Sequence, residues 1–275
     1  MKKCLWLWKI LLLLTFLFVR EKAHAETAVE FAGTPVLSGG VVTVQVPLSA
    51  QERTYVTQSH NDIPAYALAT LTVPRNFDPK KSWPLLIVLS TNDAKTQDRE
   101  DLTRIYGPTA TAQGWVAIAG DGPAPARNDS GTWRFAMTLA ALDALDRSFP
   151  GSNRWPTAVA GYSGGAKRAG LLSPLFSLAG RRLIGIYLTG INVDTLSDGY
   201  RSYRPGSTFL HTPIFLSSGE RDRTATLQQQ WDVKNSIEHT GFDRLRMERF
   251  PWGHVVKLSH LRTALSWFRE LDRAR

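Results

Sequence analysis

The sequence predicts an α/β fold built on a mostly parallel, eight-stranded sheet with helices on both faces. Two observations carry that expectation. From Val41 onward, short β-like runs alternate with amphipathic stretches, which is the order that strand–helix–strand units produce. The middle runs are apolar at every position rather than at alternate ones, as strands covered on both faces should be. The strands are expected over residues 41–46, 67–73, 84–89, 115–119, 157–160, 183–188, 214–217 and 245–250. Residues 26–40, ahead of the first strand, read as an irregular lead-in. Phe135, Leu139, Leu142 and Leu145 recur at helical spacing and Pro150 closes that helix; Leu227, Trp231 and Ile237 mark a second helix behind a cap-like Thr224. Leu261, Ala264, Leu265, Phe268 and Leu271 lie on one face of a final helix. These stripes are assigned to the core and given no chemistry. No internal repeat or low-complexity tract is visible.

The N-terminus has a different character. Met1-Lys2-Lys3 leads into an apolar run from Cys4 to Val19 broken by Lys9 and Thr15, and Ala23-His24-Ala25 follows before Glu26. This is the pattern of a secretory signal with a small-residue cleavage site. It falls short of the roughly 20 apolar residues of a spanning helix, so no stable membrane insertion is expected once residues 1–25 are removed. Residues 26–275 are expected to form a single domain, exported to the periplasm or the exterior. Cys4 is the one cysteine of the chain, so the mature fold is expected to stand without a disulfide. The formal net charge of +9 falls to about +5 when Lys2, Lys3, Lys9, Arg20, Lys22 and Glu21 leave with the signal. No lysine/arginine run remains to suggest nucleic acid.

The most informative stretch is Thr157-Ala158-Val159-Ala160-Gly161-Tyr162-Ser163-Gly164-Gly165-Ala166, a short apolar strand entering a Gly-x-Ser-x-Gly turn that opens into a helix. Such a turn strains its serine and exposes the hydroxyl, and its glycines let strand and helix pass closely. In a doubly wound sheet, ligands sit beyond the carboxyl ends of the strands, so reactive residues should fall just after them. Ser163 follows the fifth expected strand, Gly219-Glu220-Arg221-Asp222 the seventh, and Trp252-Gly253-His254 the eighth. A serine hydroxyl needs an imidazole to take its proton, and the imidazolium formed needs a carboxylate to orient it. His254 is the expected base and Asp222 the expected acid, with Arg221 and Arg223 beside Asp222 favouring its ionised form. His260, at the start of the last helix, is the rival histidine; Asp194, after the sixth strand, is the rival acid. The oxyanion of a tetrahedral intermediate needs donors already in place. Gly164 supplies one backbone N–H, and Thr91 or Asn92 in the loop after residues 84–89 supplies the second.

In these residues the chain resembles the α/β-hydrolase superfamily, with Gly161-Tyr162-Ser163-Gly164-Gly165, Gly219-Glu220-Arg221-Asp222 and Gly253-His254 occurring in the family's order over most of the mature chain. Residues 71–87 look like a stretch of secreted esterases related to polyhydroxybutyrate depolymerases and feruloyl esterases. Those enzymes usually carry His-Gly after the third strand, where this chain has Ser90-Thr91. The resemblance implies an exported serine hydrolase, most simply a carboxylic ester hydrolase working through an acyl-enzyme. The alternatives are a serine peptidase or acyltransferase on the same framework, or a non-catalytic binding protein that kept the fold. Residues 190–212 are too few for a large cap domain, which implies an open site suited to bulky or polymeric esters. Tyr162 and Trp252 are the expected substrate contacts, with Tyr200 and Tyr203 further candidates. No cluster has metal-ligand spacing and no phosphate-binding or dinucleotide glycine pattern occurs, so neither metal nor cofactor is expected. A monomer is expected.

Overall fold

The computed structural model describes residues 29–91 and 97–274. The expected signal peptide and Asn92 lie outside the described residues. The chain opens with a two-stranded antiparallel hairpin, β1 (Val29–Phe31) and β2 (Thr34–Val36). The expected irregular lead-in is therefore partly ordered. Ala32 and Gly33, both at positive φ, make its turn, and Phe31 and Val36 are buried and belong to the core. Two buried residues, Phe31 and Val36, in so short a segment carry too little periodicity to announce a strand pair.

The main sheet contains β3 (Val41–Val46), β4 (Ala67–Thr72), β5 (Leu85–Leu89), β6 (Val116–Asp121), β7 (Thr157–Tyr162), β8 (Leu183–Thr189), β9 (Ile214–Gly219) and β10 (Leu245–Phe250). Their spatial order is β10-β9-β8-β7-β5-β6-β4-β3. The β3/β4 and β4/β6 pairs are antiparallel and the rest parallel. The uninterrupted apolar runs are explained by the pleat. Leu85, Ile87 and Leu89 of β5 enter the core on one face, and Leu86 and Val88 enter the core on the other. All five are fully buried.

The helices are α1 (Ala50–Gln58), α2 (Asp98–Asp101), α3 (Gly107–Ala112), α4 (Gly131–Ser148), α5 (Gly164–Leu178), α6 (Thr195–Tyr203), α7 (Leu227–Thr240) and α8 (Leu258–Arg273), with a π-helical turn at Leu102–Tyr106 joining α2 to α3. On one face, α4 and α5 bury Phe135, Leu142, Leu145 and Phe176. On the other, Leu102, Tyr106 and Ala110 lie in the same core as Leu261, Ala264, Leu265 and Phe268 of α8. The cap of α7 is Thr226, whose hydroxyl accepts from the Gln229 amide while the Gln229 side chain accepts from the Thr226 amide. Thr224, the expected cap, lies in the preceding turn. Trp231 is also not a core residue: it is exposed on α7 with the Lys234 ammonium over its ring. No helix among the described residues is long and apolar enough to cross a membrane.

The chain leaves β5 for β6 on one side and returns to β7 on the other. The loops after β5 and β7 therefore diverge, and their carboxyl ends open a crevice. Ser90 and Ser163 stand at that opening.

Candidate active site

Ser163 sits between β7 and α5 with φ 56° and ψ −119°, a backbone conformation that a non-glycine residue adopts only when its surroundings impose it. Its N–H donates to the Thr189 carbonyl at 2.9 Å, and its own carbonyl accepts from Ala166 and Lys167, so both ends of the residue are fixed. The flanking glycines are required by close approach. A Cβ on Gly161 would stand 2.1 Å from the Gly165 carbonyl oxygen, and one on Gly165 would stand 2.2 Å from that of Leu89. The first N–H groups of a helix have no intrahelical acceptor. Gly164 and Gly165 open α5 directly after Ser163, at the positive end of the helix.

The Ser163 Oγ lies 2.9 Å from His254 Nε2, and His254 Nδ1 lies 2.6 Å from Asp222 Oδ2. The three residues come from β7, the β9–α7 loop and the β10–α8 loop, and are as much as 91 residues apart in sequence. The Asp222 side chain is buried, and its other oxygen accepts the backbone N–H groups of Thr224 (2.8 Å) and Ala225 (2.9 Å). The carboxylate is therefore aimed by its own turn before it meets the imidazole. Arg221 and Arg223 are exposed beside it. The His254 ring is held from two further sides. The Tyr162 hydroxyl donates to the His254 carbonyl at 2.6 Å and its ring lies 4.7 Å from the imidazole. Gly190, at φ 61°, passes so close that a Cβ would stand 2.9 Å from His254 Cε1. Burial, and then the Asp222 charge, push the Tyr162 phenol up to about 12, so it stays a donor at any physiological pH.

The rival residues are engaged elsewhere. His260 Nδ1 is 3.0 Å from Ser217 Oγ and its Nε2 is 3.5 Å from Glu248. Burial holds its pKa below the ordinary imidazole value. Asp194 caps α6, its carboxylate accepting the Ser197 N–H at 3.0 Å. That helix occupies part of 190–212, a segment whose Gly, Ser and Tyr content concealed it, and it packs on α5. Tyr200 stacks on Phe209 and meets Phe242 edge-on, so it fills the packing beneath α6 and is not a site aromatic. Tyr203 is partly buried. Trp252 is half-exposed, two residues from His254, with the Lys257 ammonium 3.7 Å from its ring centroid.

Of the expected second oxyanion donors, Thr91 is described. The Ser90 N–H is already used, donating to Asp98 Oδ1 at 2.7 Å, and its hydroxyl donates to Asp101 at 2.8 Å. The Thr91 N–H is the next along this loop. Behind the loop, Asp98, Asp121 and Asp129 meet Arg134 and Arg168. Burial raises Asp98 to about 7 despite Arg134 and raises Asp121 as well. Asp129 is held low because the hydrogen bonds from both arginines outweigh its burial. Sequence reasoning missed this cluster. Its one local signal is an arginine set against an apolar stretch in each of two helices, Arg134 between Trp133 and Phe135 and Arg168 just before Ala169, Gly170, Leu171 and Leu172. Among the described residues, no group of three His, Cys, Asp or Glu is arranged to hold a metal.

Neither a family model nor a curated protein matches the sequence. Solved structures do match the fold. A cold-adapted esterase from an Arctic intertidal metagenomic library superposes with a TM-score of 0.57 at 13% identity, over 86% of this chain and 94% of that one. A protein of unknown function from Agrobacterium tumefaciens, described as an α/β hydrolase, gives 0.54 at 15% identity, over 85% and 96%. The Porphyromonas gingivalis dipeptidyl peptidase 4 gives 0.52 at 14% identity over 85% of this chain, which spans 36% of that protein's length. At these identities the likeness is one of fold alone: the eight-stranded, mostly parallel sheet with its helical layers is the fold of the α/β-hydrolase superfamily.

Proposed function

We propose that the protein is an exported serine hydrolase that cleaves carboxylic esters. The observation that carries this reading is the unbroken relay from Ser163 Oγ through His254 to Asp222, with both links at hydrogen-bond distance. In this reading the Ser163 oxygen attacks the ester carbonyl carbon while its proton passes to His254 Nε2. The carbonyl oxygen becomes an oxyanion that accepts from the Gly164 N–H and from the loop of Thr91 and Asn92. Collapse breaks the bond to the alcohol, which leaves with the proton held by His254. Water then attacks the acyl-Ser163 ester and gives its proton to His254; collapse breaks the bond between the acyl carbon and Ser163 Oγ, the acid leaves, and the proton returns from His254 to Ser163 Oγ. Asp222 fixes the imidazole tautomer that makes both transfers possible. Tyr162 and Trp252 are the substrate contacts beside the reacting carbonyl. Export rests on the signal-like segment of residues 1–25, and no metal or cofactor takes part.

Intact mass of the mature protein before and after a fluorophosphonate, followed by peptide mapping, tests the nucleophile. One adduct on Ser163, absent in Ser163→Ala, is expected; a folded protein that takes no adduct overturns the reading. Turnover of aryl esters against peptide anilides tests the reaction class, and faster anilide cleavage would replace the esterase with a peptidase.

A further inference from the structure

The five ionisable side chains behind the Ser90–Thr91 backbone have no part in the chemistry above. Those of Asp98, Asp121, Asp129, Arg134 and Arg168 are 0%, 1%, 8%, 5% and 3% exposed. They come from the start of α2, the end of β6, the loop before α4, α4 itself and α5. Arg134 Nη1 lies 2.9 Å from Asp98 Oδ1 and 3.3 Å from Asp121 Oδ1, and its Nε and Nη2 grip Asp129 at 2.8 and 3.0 Å. Arg168 Nη2 reaches the Asp129 carboxylate at 2.9 Å and the Asp129 carbonyl at 3.0 Å. Asp121 accepts the Asp98 and Arg99 N–H groups at 2.7 and 2.9 Å, which fixes the start of α2. Buried ion pairs seldom stabilise a fold more than apolar residues of the same size would, so stability alone is a weak reason for such a cluster.

Two bonds out of the cluster point to another reason, because both end on the loop beside the nucleophile. Asp98 accepts the Ser90 N–H at 2.7 Å, and Arg168 Nη1 donates to the Thr91 carbonyl at 3.2 Å. Peptide groups are planar, so these bonds set the planes on either side of the Ser90–Thr91 peptide, whose own N–H belongs to Thr91. Arg168 lies on α5, the helix that begins beside Ser163, and Gly165 of that helix packs directly under the Leu89–Ser90 backbone. We propose that Arg168, acting with Asp129 and Asp98, is a positioning residue that locks the Ser90–Thr91 loop to the nucleophile helix, so that the two sources of oxyanion N–H groups move as one body. Arg168 does not touch substrate; it acts through the Thr91 carbonyl. The inference rests on the serine-hydrolase reading for its catalytic consequence, but the locking itself is independent of it.

Arg168→Met and Arg168→Lys separate these ideas. In Arg168→Met, amide exchange of Ser90, read by hydrogen–deuterium exchange on peptides spanning 85–91, should accelerate at least about tenfold. Turnover of an aryl ester should fall by as much as about 100-fold, the cost of a misplacement of about 1 Å, with KM within about twofold of wild type. Inhibition by a trifluoromethyl ketone, whose bound form is an oxyanion, should weaken in the same ratio as kcat/KM, and Arg168→Lys should recover part of every loss. A purely structural arginine would lower Tm and leave the kcat and inhibition of the folded enzyme alone, and that result overturns the proposal. If Arg168→Met does not fold, Arg168→Lys decides: slowed turnover at constant KM supports the lock, and wild-type exchange with wild-type turnover refutes it. If the wild-type protein hydrolyses no ester and takes no fluorophosphonate, the functional reading falls, while Ser90 exchange still decides whether Arg168 holds the loop.

Discussion

At Ser163 a positive φ is maintained by a strand on one side and a helix on the other, and the strain leaves the hydroxyl pointing at an imidazole already aimed by Asp222. Asp222→Asn should keep the fold and lower kcat on the order of 10⁴-fold, because an amide in place of the carboxylate favours the wrong imidazole tautomer. Steady-state kinetics with Tm within a few degrees of wild type would show it, and a loss under tenfold would remove Asp222 from the relay. Gly190→Ala tests the steric frame. Its methyl would stand 2.9 Å from His254 Cε1 at a φ that side chains avoid, so both Tm and kcat should fall, the latter by at least about tenfold. Unchanged kcat would mean that the ring has room to yield. Ser163, Asp222 and His254 were legible as residues following strands, since each lies in a short local pattern. Gly190 was not, because its partner is 64 positions away and only the fold brings the two together.

Among the elements, those with a strong local signal were read and those held by tertiary contact were missed. The central strand β5 is apolar at every position because each of its faces meets a buried core. By contrast, α1 is a polar helix whose sequence shows no stripe; its clearest mark is its capping box, in which the Ser49 hydroxyl accepts the Glu52 N–H and Glu52 accepts that of Ser49. Ser49→Ala should cost about 1 kcal/mol, a fall of roughly 2–4 °C in Tm for a domain of this size. A thermal melt with no shift would show that packing alone holds α1. The hairpin β1–β2 and helix α6 escaped the sequence for the same reason: their apolar residues are few, and their stability comes from what they pack on. Thr226 took the cap expected of Thr224 because Asp222 needs the intervening backbone N–H groups to hold its carboxylate.

For the molecule as a whole, the buried cluster gives stability a dependence on pH that no local pattern shows. Asp98, raised to about 7 by burial, binds a proton in the folded state that the unfolded chain releases near pH 4. Its favourable contribution is thus complete below about pH 4 and is lost as pH rises through about 7. Asp98→Asn is neutral throughout, so its Tm relative to wild type should be more favourable at pH 8 than at pH 5; a difference that does not change between the two would show that Asp98 is ionised across the range. His260 acts in the opposite sense, since a depressed imidazole costs stability as pH falls below its ordinary value of about 6.5. By itself, the sequence determined the doubly wound sheet and the order of serine, aspartate and histidine at strand ends, because pleat periodicity and the Gly-x-Ser-x-Gly turn are properties of neighbouring residues. The tertiary structure alone decided that Gly190 presses on the His254 ring, that Asp194 is a cap, and that Arg134 and Arg168 are buried among three aspartates. Those outcomes depend on charges and backbone planes that meet only when the sheet folds, and the desolvation that sets their energies exists nowhere along the extended chain.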